Sequence, residues 1–153
     1  MMRSGWRWMA GCLLVGTVAA SAMAQDVKPD RAIKYRQGVM TAINWHFGIL
    51  GAMAKGDRPY DKDVALRSAT FVDELVQMPW DGFGPGTDKG APTKAKPEIW
   101  KEPAKFKEHQ EALLAQAPKL VAAARTGELA ELKTAVSAAG KACSGCHDDF
   151  REK

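Results

Sequence analysis

The sequence predicts an all-α fold, an antiparallel four-helix bundle with one long crossover loop, and three observations support this. Ala, Leu, Lys, Glu and Gln dominate the chain after residue 24, without alternating β-branched runs. Four segments repeat apolar residues at helical spacings. Residues 79–101, rich in Gly and Pro, separate the second segment from the third. Because an isolated amphipathic helix cannot bury its apolar face, the four segments are expected to pack together as a bundle.

The N-terminal residues 1–24 have the pattern of a cleaved signal peptide. Arg3 and Arg7 precede an apolar run that ends in the small-x-small sequence Ala22-Met23-Ala24. The run is shorter than the ~20 apolar residues that span a bilayer. We therefore expect cleavage before Gln25 and export to the periplasm, and a retained N-terminal anchor is the competing interpretation.

Cleavage would leave residues 25–153 as one domain with no membrane anchor. Cys12 does not fit a lipoprotein site, because it precedes most of the apolar run. Loss of Arg3 and Arg7 would lower the net charge from +4 to about +2, with the lysines scattered along the chain. This charge distribution gives no indication of nucleic-acid binding.

The first predicted helix begins near Pro29-Asp30 and ends before Gly56. Its apolar stripe consists of Ile33, Met40, Ile43, Phe47 and Leu50. The second begins after Asp61, a plausible N-cap, and Pro79 ends it. Its predicted inner face consists of Val64, Phe71, Leu75 and Met78.

The crossover, residues 79–101, is predicted to lack regular structure but to pack in an ordered way onto the bundle. Its Gly and Pro content excludes long helices, whereas Trp80, Phe83 and Trp100 are unsuited to a solvated linker. The third helix is predicted to start near Glu102-Pro103 and to end at Gly127. Its apolar stripe consists of Phe106, Leu113, Ala117, Leu120 and Ala124.

The fourth predicted helix carries the functional motif on its inner stripe. The stripe consists of Leu129, Leu132, Val136, Ala139, Cys143, Cys146 and Phe150. The segment from Cys143 to His147 reads C-S-G-C-H, the C-x-x-C-H signature of covalent haem c attachment. Two thiols one helical turn apart can each form a thioether with a haem vinyl group, and His147 then becomes the proximal iron ligand.

Two other interpretations of this motif fit less well. A thioredoxin-like pair usually opens a helix after a strand, whereas this pair closes the last helix of an all-helical chain. A structural zinc site needs four ligands, and His46 and His109 are the only other imidazoles. Both histidines are predicted not to be ligands: His46 lies about 240° around the helix from Met40, and His109 is expected inside the bundle or at its boundary.

The mature chain resembles the cytochrome c′ family, periplasmic four-helix-bundle haem proteins, over essentially its whole length. The resemblance rests on the haem motif and on three further segments, which read I-K-Y-R-Q from Ile33, P-W-D-G-F-G-P-G-T from Pro79 and P-E-I-W from Pro97. It implies one covalent haem c near the C-terminal helix.

The resemblance also implies that Met40 lies over the distal face of the haem. In many members the matching residue is apolar and shields an open sixth position on a five-coordinate, high-spin iron, which binds nitric oxide or carbon monoxide. Related low-spin carriers use a first-helix Met as the sixth ligand. The expected function is therefore gas binding with single-electron exchange to an unidentified redox partner. The alternative is a low-spin electron carrier in which Met40 ligates the iron.

Four further residues are expected around the haem. By the resemblance, Arg151 lies beside the proximal His147, where it could contact a propionate. Arg36, one turn before Met40, could similarly face a propionate, and Trp80 and Phe83 could wall the pocket.

Enzymatic activity is not expected, because no paired carboxylates or nucleophile–base set stand out in the sequence. Family members are often homodimers that pack through the first two helices. The sequence gives one hint of such a dimer, since these helices carry apolar residues beyond one stripe. These residues are Val39, Ala42, Val72 and Val76.

Overall fold

The computed structural model describes residues 27–153, so Cys12 and the predicted signal peptide, residues 1–24, lie outside the described residues. The helical elements are α1 (Pro29–Lys55), α2 (Lys62–Leu75), a 3₁₀ helix (Pro79–Phe83), α3 (Glu98–Lys101), α4 (Pro103–Thr126) and α5 (Leu129–Phe150). The four long helices form the predicted bundle, and α5 is the fourth helix of the sequence prediction. None of the helices within residues 27–153 has the length and apolar character needed to cross a membrane.

The helix ends follow local signals in the sequence. The Asp61 side chain accepts a hydrogen bond from the Val64 backbone N–H at 2.9 Å, as an N-cap does. Pro103 occupies the first turn of α4, where its missing N–H costs nothing. Gly56 and Gly127 end α1 and α4 with φ of 89° and 82°, a left-handed conformation that favours glycine.

Successive long helices run antiparallel around the bundle. Helix α1 packs against α2 and α5, and α4 packs against the same two helices. The Tyr35 hydroxyl near the start of α1 donates to the Met78 carbonyl just after α2, at 3.0 Å. The Phe106 and Phe150 rings, near the start of α4 and at the end of α5, lie 5.4 Å apart. The start of α1 and the end of α5 therefore lie at the same end of the bundle.

The tightly packed core occupies the opposite end. Leu50, Leu120 and Leu132 are completely buried there, and Met53 and Ala65 pack into the same cluster. Truncating such a buried Leu to Ala typically costs about 2–5 kcal/mol, because a cavity remains. The space at the other end, where α5 finishes, is left for the functional site.

The predicted inner face of α2 is wrong at two positions. Phe71 is 40% exposed and Met78 is 43% exposed. The buried positions of this segment are instead Ala65, Ser68, Ala69, Val72 and Val76. Successive helical residues are about 100° apart, so the segment carries two adjacent apolar stripes, and packing selected the one with smaller side chains.

The crossover is ordered and packed on the bundle, as predicted, but it is not free of regular structure. It contains the 3₁₀ helix and α3. The Trp100 indole N–H donates to the Phe83 carbonyl at 3.0 Å, and the Trp80 indole N–H donates to the Val76 carbonyl at 2.6 Å. Both indoles thus satisfy backbone carbonyls while their rings pack inside.

Arg36 fastens the crossover to α1. Its side chain is 2% exposed, and Nη1 donates to the carbonyls of Gly82 at 2.6 Å and Thr87 at 2.9 Å. Nη2 donates to the Thr93 hydroxyl at 3.2 Å, and the guanidinium lies 4.6 Å from the centre of the Phe83 ring. The guanidinium is therefore engaged with the crossover, and its contact with a haem propionate stays a prediction.

Replacing Arg36 by Met should destabilise the protein by about 2–4 kcal/mol, because buried crossover carbonyls would lose their donor. Guanidinium chloride unfolding followed by far-UV circular dichroism measures the change. Gln37→Ala is the matched control, since the Gln37 amide donates to a crossover carbonyl from an exposed position. A loss no larger for Arg36→Met than for Gln37→Ala would contradict the proposed fastening role.

Candidate haem-binding site

A cleft of about 790 Å³ lies at the end of the bundle where α5 finishes, between α1, α4, α5 and the crossover. Its volume falls within the range of about 300–1,000 Å³ typical of ligand and cofactor sites. All eight residues predicted from the sequence line its wall: Arg36, Met40, Trp80, Phe83, Cys143, Cys146, His147 and Arg151.

Cys143 and Cys146 lie one helical turn apart on the cleft wall of α5, and both are half-buried. Burial raises the pKa of the Cys143 thiol. Burial, with the neighbouring charges of Cys143 and Asp149, raises the pKa of Cys146 to about 11. Nucleophilic redox cysteines instead have lowered pKa values, so these thiols do not match a thioredoxin-like pair.

His147 follows Cys146 directly and also lines the cleft. Burial lowers the pKa of its imidazole, the positive charge of Arg151 lowers it further, and Asp148 opposes the shift. The imidazole is therefore neutral at physiological pH, which leaves a ring nitrogen free to ligate a metal. Within residues 27–153 no group of three or more His, Cys, Asp or Glu side chains is arranged to hold a metal ion.

The crossover holds the end of α5 in place. Lys96 Nζ donates to the carbonyls of Asp148 at 3.0 Å and Asp149 at 3.2 Å. A cation at this position satisfies C-terminal carbonyls that lack helical partners and complements the helix dipole. Ala95 and Arg151 also form an isolated antiparallel bridge, which keeps Arg151 next to the turn that carries His147.

Helix α4 holds the same turn from another side. His109 Nε2 and Lys105 Nζ each lie 3.0 Å from Asp149 Oδ2. The hydrogen bonds from Lys105 and His109 lower the pKa of Asp149. His109 lies in the cleft wall, in keeping with its predicted boundary position, and its ring contacts the Asp149 carboxylate.

His46 lies outside the cleft wall, as its angular separation from Met40 predicts. Its ring packs instead against Phe71 on α2, with the ring centres 4.7 Å apart.

Several further residues line the cleft wall that were not predicted from the sequence. Ile43 and Phe47 continue the Met40 face of α1, and Gly140 continues the Cys143 face of α5. Their helical spacing was visible in the sequence and could have identified them. Phe106, which the sequence predicts in the core, also lines the cleft, and its ring centre lies 5.1 Å from that of Phe83.

These features fit a haem. The wall is largely aromatic and aliphatic, two thiols stand one turn apart, and a neutral imidazole follows them. Ser144 and Gly145 between the thiols are small, so a flat macrocycle can approach the helix backbone. A C-x-x-C-H haem-attachment site defines the class of c-type cytochromes, and here the site lies in a helical bundle.

Comparison with known proteins places the chain within this class. The family model described as "Cytochrome C'" matches residues 31–151. The cytochrome c′ of Rubrivivax gelatinosus is 48% identical over 129 residues, covering 84% of this chain and all of that protein. The cytochrome c′ of Alcaligenes xylosoxydans xylosoxydans is 40% identical, covering 84% of this chain and 99% of that protein.

Solved structures agree. The crystal structure of the Rubrivivax gelatinosus protein has a TM-score of 0.80 at 47% identity, over 82% of this chain and 98% of that chain. A nitric oxide complex of a variant of the Alcaligenes xylosoxidans protein has a TM-score of 0.77 at 40% identity, over 83% of this chain and 98% of that chain.

The chain belongs to the cytochrome c′ family. Members of this family bind covalent haem c, so this protein is a haem c protein. The positions of Cys143, Cys146 and His147 in the cleft support their assignment as the attachment residues.

Replacing both Cys143 and Cys146 by Ser should convert the haem from covalently to non-covalently bound, because no thioether can form. Acid–acetone extraction should then release essentially all haem from the double variant and none from the wild type. Ser144→Ala, which leaves both thiols in place, is the control. Extraction of haem from the wild type, or retention by the double variant, would contradict the assignment.

Proposed function

We propose that His147 is the one protein ligand to the haem iron and that Met40 shields the opposite face without binding it. In this proposal the iron is five-coordinate and high-spin. The protein binds nitric oxide and carbon monoxide and exchanges single electrons with an unidentified redox partner. It acts as a binding and electron-transfer protein, not as an enzyme.

The observation that carries the proposal is the placement of Met40. It lies on α1, in the wall of the cleft that also contains His147 on the antiparallel helix α5. Met40 is half-buried and packs against the hydrophobic core. To bind the iron, the Met40 side chain would have to give up these core contacts.

The surroundings of Met40 favour a small uncharged ligand. Ile43 and Phe47 extend an apolar wall on the same face of α1. Contact with these apolar side chains disfavours charged molecules, because a charge would lose its hydration there without compensation. The haem iron supplies both the binding site for a diatomic gas and the one-electron couple.

The comparisons give this proposal independent support. A variant of a relative with the same fold and 40% identity forms a nitric oxide complex. Since Met40 and His147 line one cleft in this protein, we carry gas binding over to it.

The alternative function is a low-spin electron carrier in which the Met40 sulfur is the sixth iron ligand. One observation favours it: Met40 lines the cleft, and a thioether can ligate haem iron. The core contacts of Met40 favour the shielding role instead.

The optical spectrum of the reduced protein separates the two functions. We expect no sharp low-spin α and β bands, and replacing Met40 by Ala should leave the spectral type unchanged. The smaller side chain should speed nitric oxide and carbon monoxide binding by about tenfold or more, since less displacement is needed. Met78→Ala, at an exposed position outside the cleft, is the control. Sharp bands that disappear in Met40→Ala would establish the alternative.

We further propose that residues 1–24 are removed and that the protein works in the periplasm. The cationic start, the apolar run and the sequence Ala22-Met23-Ala24 support this proposal. We also propose that Arg151 and Arg36 of the cleft wall contact haem propionates, which for Arg36 would be in addition to its hydrogen bonds with the crossover.

We also propose a homodimer that packs through α1 and α2. The sequence hint was wrong for Val72 and Val76, which are 2% and 0% exposed and belong to the core. Other residues of the α1–α2 region supply the exposed apolar surface. They are Tyr35, Trp45, Phe71 and Met78. Trp45 is 71% exposed, and large aromatic side chains of this kind often dominate the binding energy of an interface.

The variant Trp45→Lys should weaken dimerisation by about tenfold or more, because it replaces an aromatic anchor by a charge. Sedimentation equilibrium of the haem-loaded protein measures the change. Ala122→Lys adds the same charge at an exposed position of α4 and serves as the control. A monomeric wild type, or equal effects of the two variants, would rule out this interface.

A further inference from the structure

A second cavity of about 640 Å³ lies between α1 and α5, next to the haem cleft. It follows the C-terminal half of α1 and the middle of α5. Phe47 and Gly140 line both this groove and the cleft, so the two cavities meet at these residues. No side chain other than that of Phe47 belongs to both walls, because Gly140 contributes only backbone.

The helical register places this junction on the Met40 side of the cleft. Phe47 follows Met40 by seven residues, and Gly140 precedes His147 by seven residues. Seven residues make nearly two full turns and rise about 10 Å, so each pair shares one helix face. Because α1 and α5 are antiparallel, both seven-residue steps run in the same direction along the bundle. Phe47 and Gly140 therefore lie at one level of the bundle, about 10 Å from the level of Met40 and His147.

Gly140 has no side chain, and this leaves a gap beside the Phe47 ring at the junction. A Cβ atom at position 140 would lie 3.8 Å from Phe47 Cζ and 4.0 Å from Cε1, which is ordinary van der Waals distance. The ring edge therefore faces bare backbone, with room for one methyl group between them. Phe47 is itself only half-buried, so its ring is not locked by the core on all sides.

The groove beyond the junction suits an uncharged molecule. Its lining combines Phe47 and small residues such as Gly48 and Gly51 with three charged side chains, those of Lys55, Asp57 and Lys133. Apolar cavities accept small apolar guests such as xenon without needing to hold water.

We propose that the groove between α1 and α5 is an access path for diatomic gases and that Phe47, whose ring lies beside Gly140, is its gate. The path leads to the Met40 side of the cleft, where the proposed function places gas binding, and it rests on that function. Side-chain rotations occur on picosecond to nanosecond timescales where packing permits, so movement of one ring can open the path transiently.

A gate changes rates and leaves the equilibrium alone. The same barrier is crossed on the way in and on the way out, so association and dissociation change by the same factor. Phe47 and Gly140 are thus distinguished from Met40, whose replacement alters the immediate surroundings of the bound gas and can change the affinity.

The kinetic test measures carbon monoxide association and dissociation with the reduced, haem-loaded protein, both in the wild type and with Met40 replaced by Ala. Gly140→Ala should slow both rates by roughly threefold or more, because it fills the gap beside the ring, and Phe47→Leu should speed both by a similar factor. Gly38→Ala is the matched control, since it adds a methyl group to α1 in open space outside both cavities. Unchanged rates in both gate variants, or an equal effect of Gly38→Ala, would overturn the path.

A structural test works without a gas ligand on the iron. Crystals of the haem-loaded protein pressurised with xenon should show xenon in the groove beside Phe47, and Gly140→Ala should reduce its occupancy. A groove without xenon would overturn the proposal. If carbon monoxide fails to bind while xenon occupies the groove, the proposed gas-binding function fails and the apolar path stands.

Discussion

Helices α1 and α5 run antiparallel beside the cleft, and this arrangement places Met40 and His147 in the same cavity. The cysteines of α5 lie on the same inward side of the helix as the core residue Leu132 further along it. Leu132 belongs to the hydrophobic core cluster, whereas the cysteines line the haem cleft. One continuous stripe thus serves as core at one end and as cofactor wall at the other.

Two cations connect the elements around the haem cleft through backbone carbonyls. Arg36 fastens the crossover to α1, and Lys96 fastens the end of α5 to the crossover. From α4, Lys105 and His109 hold Asp149 on the turn that carries His147. The attachment turn is thereby fixed from two sides by groups that need no contact with the haem.

Much of this architecture could be predicted from the sequence, since the signals are local. Asp61 and Gly127 mark helix ends, and the spacing of Cys143, Cys146 and His147 defines the attachment site. The core-facing stripe of α2 could not be predicted in the same way, because helical periodicity gives relative positions and not the side that faces the core. The binding of Arg36 to the crossover was equally hidden, because its acceptors lie 46 to 57 residues away in sequence.

X-ray absorption at the iron edge tests directly whether the Met40 sulfur shields the iron or binds it. In the reduced, haem-loaded protein, the fine structure should fit nitrogen neighbours from the porphyrin and His147, with no sulfur bound to the iron. A sulfur neighbour at bonding distance in the wild type, absent from Met40→Ala, would contradict the shielding role and identify the protein as a six-coordinate electron carrier.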